Sequence, residues 1–158
     1  MILTKNDILN QKKDEQYIIE LYNKILNCKA STQHKFDFLV GDPNKNGKYR
    51  KLPVDAYYEK FQLVIEYHEK QHTENVKHFD KPDKLTISGV HRGEQRKIYD
   101  ERRKEVLPKY GIDILIVSYS DFQYNQQKKI IRDFDNDILI LKEKLRLVQQ
   151  NIEANKYP

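Results

Sequence analysis

The apolar positions of this chain change period several times, and each change marks an element. Over 14–27 (DEQYIIELYNKILN), Tyr17, Ile18, Leu21, Tyr22 and Ile25 recur at helical spacing, which predicts an amphipathic first helix that KASTQ brings to an end. Three short runs rich in β-branched and aromatic residues follow: FDFLV at 36–40, VDAYY at 54–58 and LVIEYH at 63–68. Separated by GDPNKNGKYRK and EKFQ, they predict three antiparallel strands. Residues 73–92 carry Pro82 and Gly89 and show no period, which predicts a long loop crossing the face of the domain. A helix over 93–107 (GEQRKIYDERRKEVL), stopped by Pro108 and Gly111, leads into IDILIVSY at 112–119, a nearly continuous apolar strand of the buried type. The fold class is α/β, a mixed sheet flanked by helices.

The C-terminal stretch adds a long helix. Ile131, Phe134, Ile138, Leu141, Leu145, Val148 and Ile152 alternate spacings of three and four, a coiled-coil-like seam. Such a seam is satisfied equally by the chain's own domain or by a second copy, so 131–152 is a candidate homodimer surface. The division expected is a catalytic-type domain over 1–122 and a helical extension over 123–158.

Composition narrows the setting. A chain of 158 residues with 38% hydrophobic and 34% charged residues fits one domain with a modest core and a densely charged surface. The single cysteine, Cys28, excludes an intramolecular disulfide and a cysteine-rich zinc module, and favours a reducing compartment. No run approaches the roughly 20 apolar residues of a membrane span, and the N-terminus lacks the apolar core of a secretory signal, so a cytoplasmic protein with no membrane partner is expected. The net charge of +5 permits a polyanionic partner. Basic residues gather at Lys45, Lys48, Arg50 and Lys51 and again at Arg92, Arg96, Lys97, Arg102, Arg103 and Lys104, either as solvated faces or as contacts to a nucleic-acid backbone.

The hairpin of the second and third strands carries the candidate chemistry. If EKFQ turns symmetrically, 59 pairs with 62, 58 with 63, and therefore Asp55 with Glu66. Side chains so opposed have Cβ atoms about 5 Å apart, and two carboxylates at that distance repel unless a proton or a cation lies between them. Burying two acids in apolar strands without a partner costs several kcal/mol, roughly, which marks a functional site or a pair neutralised by nearby Lys or Arg. Oxygen donors of this kind suit Mg²⁺ or Mn²⁺ and, with it, phosphodiester chemistry. His68 shares a strand face with Glu66, and His72 lies just beyond the strand, so either is a candidate base or leaving-group partner. On the next helix Arg92, Arg96, Tyr99, Asp100 and Arg103 recur at three and four, an acid within a basic stripe. It reads either as helix-stabilising pairs or as arginines for DNA phosphates with Asp100 orienting a histidine or a water.

The order Asp55, LVIEYHEKQH, then RKIYDERRKEVLPKYGIDILIVSYSDF resembles the very-short-patch-repair endonuclease and its EDxHD homing-endonuclease relatives, members of the PD-(D/E)XK superfamily. The likeness spans about 53–122. It implies a restriction-endonuclease-like core and a Mg²⁺-dependent endonuclease of double-stranded DNA. By position, Asp55 matches the family's metal-binding aspartate, Glu66 its strand acid, His72 its catalytic histidine, Asp100 its later helix aspartate and Glu15 the acid of its first helix. Glu66-Tyr67-His68 also looks like a (D/E)XK element whose lysine has become histidine, which leaves His68 and His72 competing for one role, with His72 favoured. One cysteine cannot build the repair enzyme's structural zinc site, and Glu69-Lys70-Gln71 replaces its intercalating aromatics. The stretch 78–96 has no counterpart in the family. Its His78, His91, Arg92 and Arg96 are candidate phosphate contacts, or the loop simply seals the sheet edge. The alternative outside enzymology is a non-catalytic nucleic-acid-binding or scaffold protein that dimerises through its C-terminal helix.

Overall fold

A computed structural model of the chain describes residues 1–69 and 85–156, the last six as backbone only. Helices α1 (Lys5–Leu9) and α2 (Asp14–Leu26) precede strands β1 (Ser31–Val40), β2 (Lys51–Tyr58) and β3 (Leu63–His68). Helix α3 (Arg92–Lys109), strand β4 (Asp113–Ser118) and helix α4 (Phe134–Lys156) follow. The sheet runs β1-β2-β3-β4, antiparallel across the first three strands and parallel between β3 and β4. The architecture is therefore α/β, a four-stranded mixed sheet flanked by helices with a long C-terminal helix.

Boundaries differ from the sequence expectation where a neighbour overrides local preference. β1 begins at Ser31, well ahead of FDFLV, because Ser31 and Thr32 pair with Tyr57 and Ala56 of β2. β2 begins at Lys51, and its Pro53, which cannot donate a ladder hydrogen bond, lies in the part of the strand that is not paired with β3. The turn after β2 is a short 3-10 helix, Glu59–Phe61, closed by Gln62 at φ 49. It delivers the register read from EKFQ, with Tyr58 opposite Leu63 and Ala56 opposite Ile65. α3 does not stop at Pro108 but carries it in its last turn. There the missing N–H costs one hydrogen bond rather than breaking the helix. Gly111, at φ 74, then reverses the chain, its N–H donating to the Pro108 carbonyl and that of Ile112 to the Leu107 carbonyl.

The sheet buries both faces. Leu63, Ile65 and Tyr67 of β3 and Leu115 and Val117 of β4 pack with Tyr17, Ile18, Leu21 and Tyr22 of α2. Val64 of β3 packs on the other side with Leu107 of α3 and Ile112. Since side chains alternate along a strand, Glu66 belongs to the α3 side. The seam of α4 is spent inside the chain: Phe134 and Leu141 are buried in the α2 cluster, with Ile138, Leu145 and Val148 against it. Tyr22 Oη donates to the Leu141 carbonyl at 2.9 Å, tying the two helices. Ile131, by contrast, is exposed, as are Leu139 and Leu147 on the helix's outer side. Leu141→Ala should therefore cost about 3 kcal/mol in a denaturant titration. A loss below about 1 kcal/mol would show that the helix is not part of the core. No described helix is long and apolar enough to cross a membrane.

Candidate functional site

The ladder between β2 and β3 ends at Ala56 and Ile65, and the next pair in the same register is Asp55 and Glu66. Ala56 packs with the α2 cluster whereas Val54 packs with the α3 cluster, so the alternation of faces slips at Asp55. The facing residue of β1 slips too: Gln33, between the partners of Ala56 and Val54, sits at φ 47. Where the strands part, carboxylates take over the hydrogen bonds the ladder no longer makes. Asp55 Oδ2 accepts from the Tyr67 N–H at 2.8 Å, and Glu66 Oε2 accepts from the Asp55 N–H at 3.2 Å. The second oxygen of each has a side-chain partner: Gln33 Nε2 stands 3.5 Å from Asp55 Oδ1 and Arg103 Nε 3.2 Å from Glu66 Oε1.

α2 brings the third acid. Its first turn carries Asp14 and Glu15, about 100° apart around the helix axis. Asp14 is buried and held by Arg132 at 3.1 Å and by the Ile130 N–H at 2.9 Å. That pins the start of the helix and leaves the Glu15 carboxyl close enough to Asp55 to feel its charge. Burial, followed by the Asp55 charge, pushes the Glu15 carboxyl up to about 7. Burial and then Asp55 also raise the Glu66 carboxyl well above the usual carboxylate range, against the pull of Arg103. A proton held more tightly when folded stabilises the fold at low pH, and that stabilisation is lost as pH rises through the folded value. For Glu15, stability should accordingly fall by about 1–2 kcal/mol between pH 5 and pH 8, after allowance for solvent screening. Melting curves of Glu15→Gln across this range should be flatter than those of the wild type. An equally steep fall in the variant would remove Glu15 from the cluster. Asp42, drawn below the usual range by Ser88 and then Arg102, works in the opposite sense, but in a more acidic window.

α3 supplies the counter-charge. Arg103, mostly buried, donates through Nε to the Pro53 carbonyl at 3.2 Å, and its Nη1 meets Asp100 Oδ1 at 3.2 Å while its Nε meets Glu66. Arg103, expected at DNA phosphates, is instead turned inward as the partner of two acids, and Asp100 is the acid that steadies it. Their i,i+3 spacing on one helix was the available signal, legible once the sheet face of Glu66 is known. Gln33 and its left-handed backbone gave no signal at all.

The other predicted residues are distributed around this centre. His68 ends β3, half-buried, on the Glu66 side and beside Ser118 in the ladder. His72 and His78 lie outside the described residues. His91 precedes α3, its Nδ1 buried without a hydrogen-bond partner among the described residues, and Arg92 and Arg96 occupy the first turns of α3 with contacts of their own. Lys48 and Arg50 are exposed on the loop between β1 and β2, and Lys51 pairs with Asp37 at 2.5 Å. That loop is fixed at its base. Arg102 pairs with Asp42 at 2.8 Å, and Tyr99 Oη accepts from the Asp42 N–H at 3.0 Å. A Cβ at Gly41 would come within 2.8 Å of the same hydroxyl, which accounts for glycine there.

The side chains of Asp55, Glu66 and Glu15 offer carboxylate oxygens only, the type of donor a hard divalent ion takes. Among the described residues no three His, Cys, Asp or Glu side chains stand arranged to hold a metal ion, so the fit rests on the facing pair, Asp55 and Glu66. Comparison with protein-family models, curated proteins and solved structures finds no match to this chain.

Proposed function

We propose that the chain is a Mg²⁺- or Mn²⁺-dependent endonuclease that hydrolyses phosphodiester bonds of double-stranded DNA, on a restriction-endonuclease-like core. The observation that carries this reading is the convergence of Glu15, Asp55 and Glu66 where β2 and β3 part. Asp55 and Glu66 would hold the ion, which when bound supplies positive charge to the phosphate oxygens under attack. Arg103 and Asp100 hold Glu66 in place, and Glu15 buffers the charge of Asp55. His72, or His68 at the end of β3, supplies the imidazole that moves a proton to or from water or the leaving oxygen. Lys48, Arg50, Lys51, His91, Arg92 and Arg96 are assigned to the DNA backbone, and the single Cys28 suits a cytoplasmic setting. A homodimer through 131–152 would use exposed residues such as Leu139 and Leu147, because the seam packs internally.

One observation favours the non-catalytic reading, in which the chain only grips nucleic acid. Glu66 already has a cation of its own in Arg103. Incubating plasmid with Mg²⁺ or Mn²⁺ and the wild type, Asp55→Asn or His72→Ala separates the two. Cleavage by the wild type, lost in both variants with binding retained, supports the enzyme. A wild type that binds but cuts neither DNA nor RNA with any of several divalent metals supports the binding protein.

A further inference from the structure

Beside the acid cluster lies a recess of about 500 Å³ whose walls include Lys12, Lys13, Asp14, Glu69, Lys129 and Arg132. Arg132 is committed to the fold: it pairs with Asp14, donates to the carbonyls of Leu9 and Gln11, and lies over the Tyr17 ring. The three lysines are exposed, and among the described residues none of them forms an ion pair. With Asp14 held by Arg132, Glu69 is the acid left on the lining to offset the three lysines, so the recess carries surplus positive charge. It adjoins the acid cluster, because its lining residues Lys13 and Asp14 directly precede Glu15 at the start of α2.

We propose that this recess binds a phosphate of the nucleic-acid backbone next to the one that is cut, with Lys12, Lys13 and Lys129 as its cationic wall; the inference rests on the nuclease reading above. Among the described residues Arg103 is the cation seen paired with these acids, so a centre built of Glu15, Asp55, Glu66 and Asp100 repels a polyanion when ionised. Binding therefore requires a basic surface within reach of it. Lysine ammoniums act as point charges toward phosphate, adaptable in angle, which suits a backbone that must slide into register with the acids.

The test uses the full chain in chelator, so that no cutting occurs, and a fluorescent DNA duplex titrated at several salt concentrations. Lys12→Ala/Lys13→Ala/Lys129→Ala is compared with Lys24→Ala/Lys60→Ala/Lys142→Ala, which removes the same charge from exposed lysines outside the recess. The recess variant should bind roughly tenfold or more weakly at 0.1 M salt, with the slope of log K against log salt reduced by about 1–2, each neutralised phosphate contributing about 0.9. The control variant should change the slope by less than half of that. Equal weakening of both variants, or an unchanged slope in the recess variant, overturns the proposal while leaving the nuclease reading standing. A wild type that binds no DNA overturns both.

Discussion

Asp55→Asn should lower metal-dependent DNA cleavage by about a thousandfold or more while raising the melting temperature of the metal-free protein at pH 8. A thousandfold corresponds to about 4 kcal/mol of transition-state stabilisation, the scale a divalent ion supplies to phosphoryl chemistry. The stability gain follows from what Asp55 does in the fold. Its Oδ2 accepts from the Tyr67 N–H, a bond the asparagine oxygen keeps, and its negative charge is what Glu15 and Glu66 repel. Asparagine removes the repulsion and adds a donor toward the neighbouring acids. Asp55→Ala removes the acceptor as well, leaving the Tyr67 N–H unpaired at a cost of about 1–3 kcal/mol. Nicking rates and melting curves of the two variants together separate charge from scaffold. An asparagine variant that cuts at the wild-type rate, or that melts as low as the alanine variant, would contradict a metal site at Asp55.

Much of the fold is legible because burial imposes periods on the sequence. The α2 face, the antiparallel run of β1, β2 and β3 and the register of the β2–β3 hairpin all follow from apolar spacing and a four-residue turn. The middle of β4, Ile114 to Val117, is apolar without a break, as in a strand with packing on both faces, and it pairs in parallel with β3. What the pattern does not carry is decided by partners distant in sequence. Ser31 and Thr32 lie in a polar stretch without the alternation of a strand and are extended because β2 lies beside them. The α4 seam could face a second chain or its own, and what decides is the fit of Phe134 and Leu141 against α2, which no single-chain period records.

The site divides the same way. Asp55 facing Glu66 is arithmetic on the hairpin, so it can be read before any coordinates. Glu15 came only from the resemblance, and its place beside Asp55 depends on Asp14 being pinned by Arg132 from the far end of the chain. The slip in β2 at Asp55, matched by Gln33 in β1, leaves no mark in composition or spacing. Basic residues on a helix look alike from sequence, and it is the sheet face of Glu66 that sets Arg103 apart from its neighbours.

Removing Arg103 should be the most costly single change to stability near the site. Its guanidinium stands between Glu66 and Asp100, both nearly buried, and Arg103→Met fills similar volume while leaving both acids without their cation. Breaking one side of a buried ion pair costs about 3–5 kcal/mol, and that is the loss expected at pH 8. The loss should shrink on acidification. Arg103 is what holds the Glu66 proton affinity down against burial and Asp55, so without it Glu66 takes up its proton at higher pH still. A carboxyl whose folded value lies above its unfolded one stabilises the fold at low pH and ceases to as pH rises through the folded value. Denaturation midpoints of the variant should therefore approach the wild type at pH 5 and diverge from it at pH 8. Arg103→Met/Glu66→Gln, which deletes the stranded charge, should recover much of the difference at pH 8. If a divalent ion binds at Asp55 and Glu66, adding Mg²⁺ should stabilise Arg103→Met more than the wild type, because the ion then supplies the positive charge that the arginine no longer provides. A deficit constant across pH and insensitive to both Glu66→Gln and Mg²⁺ would mean that Arg103 acts by packing alone.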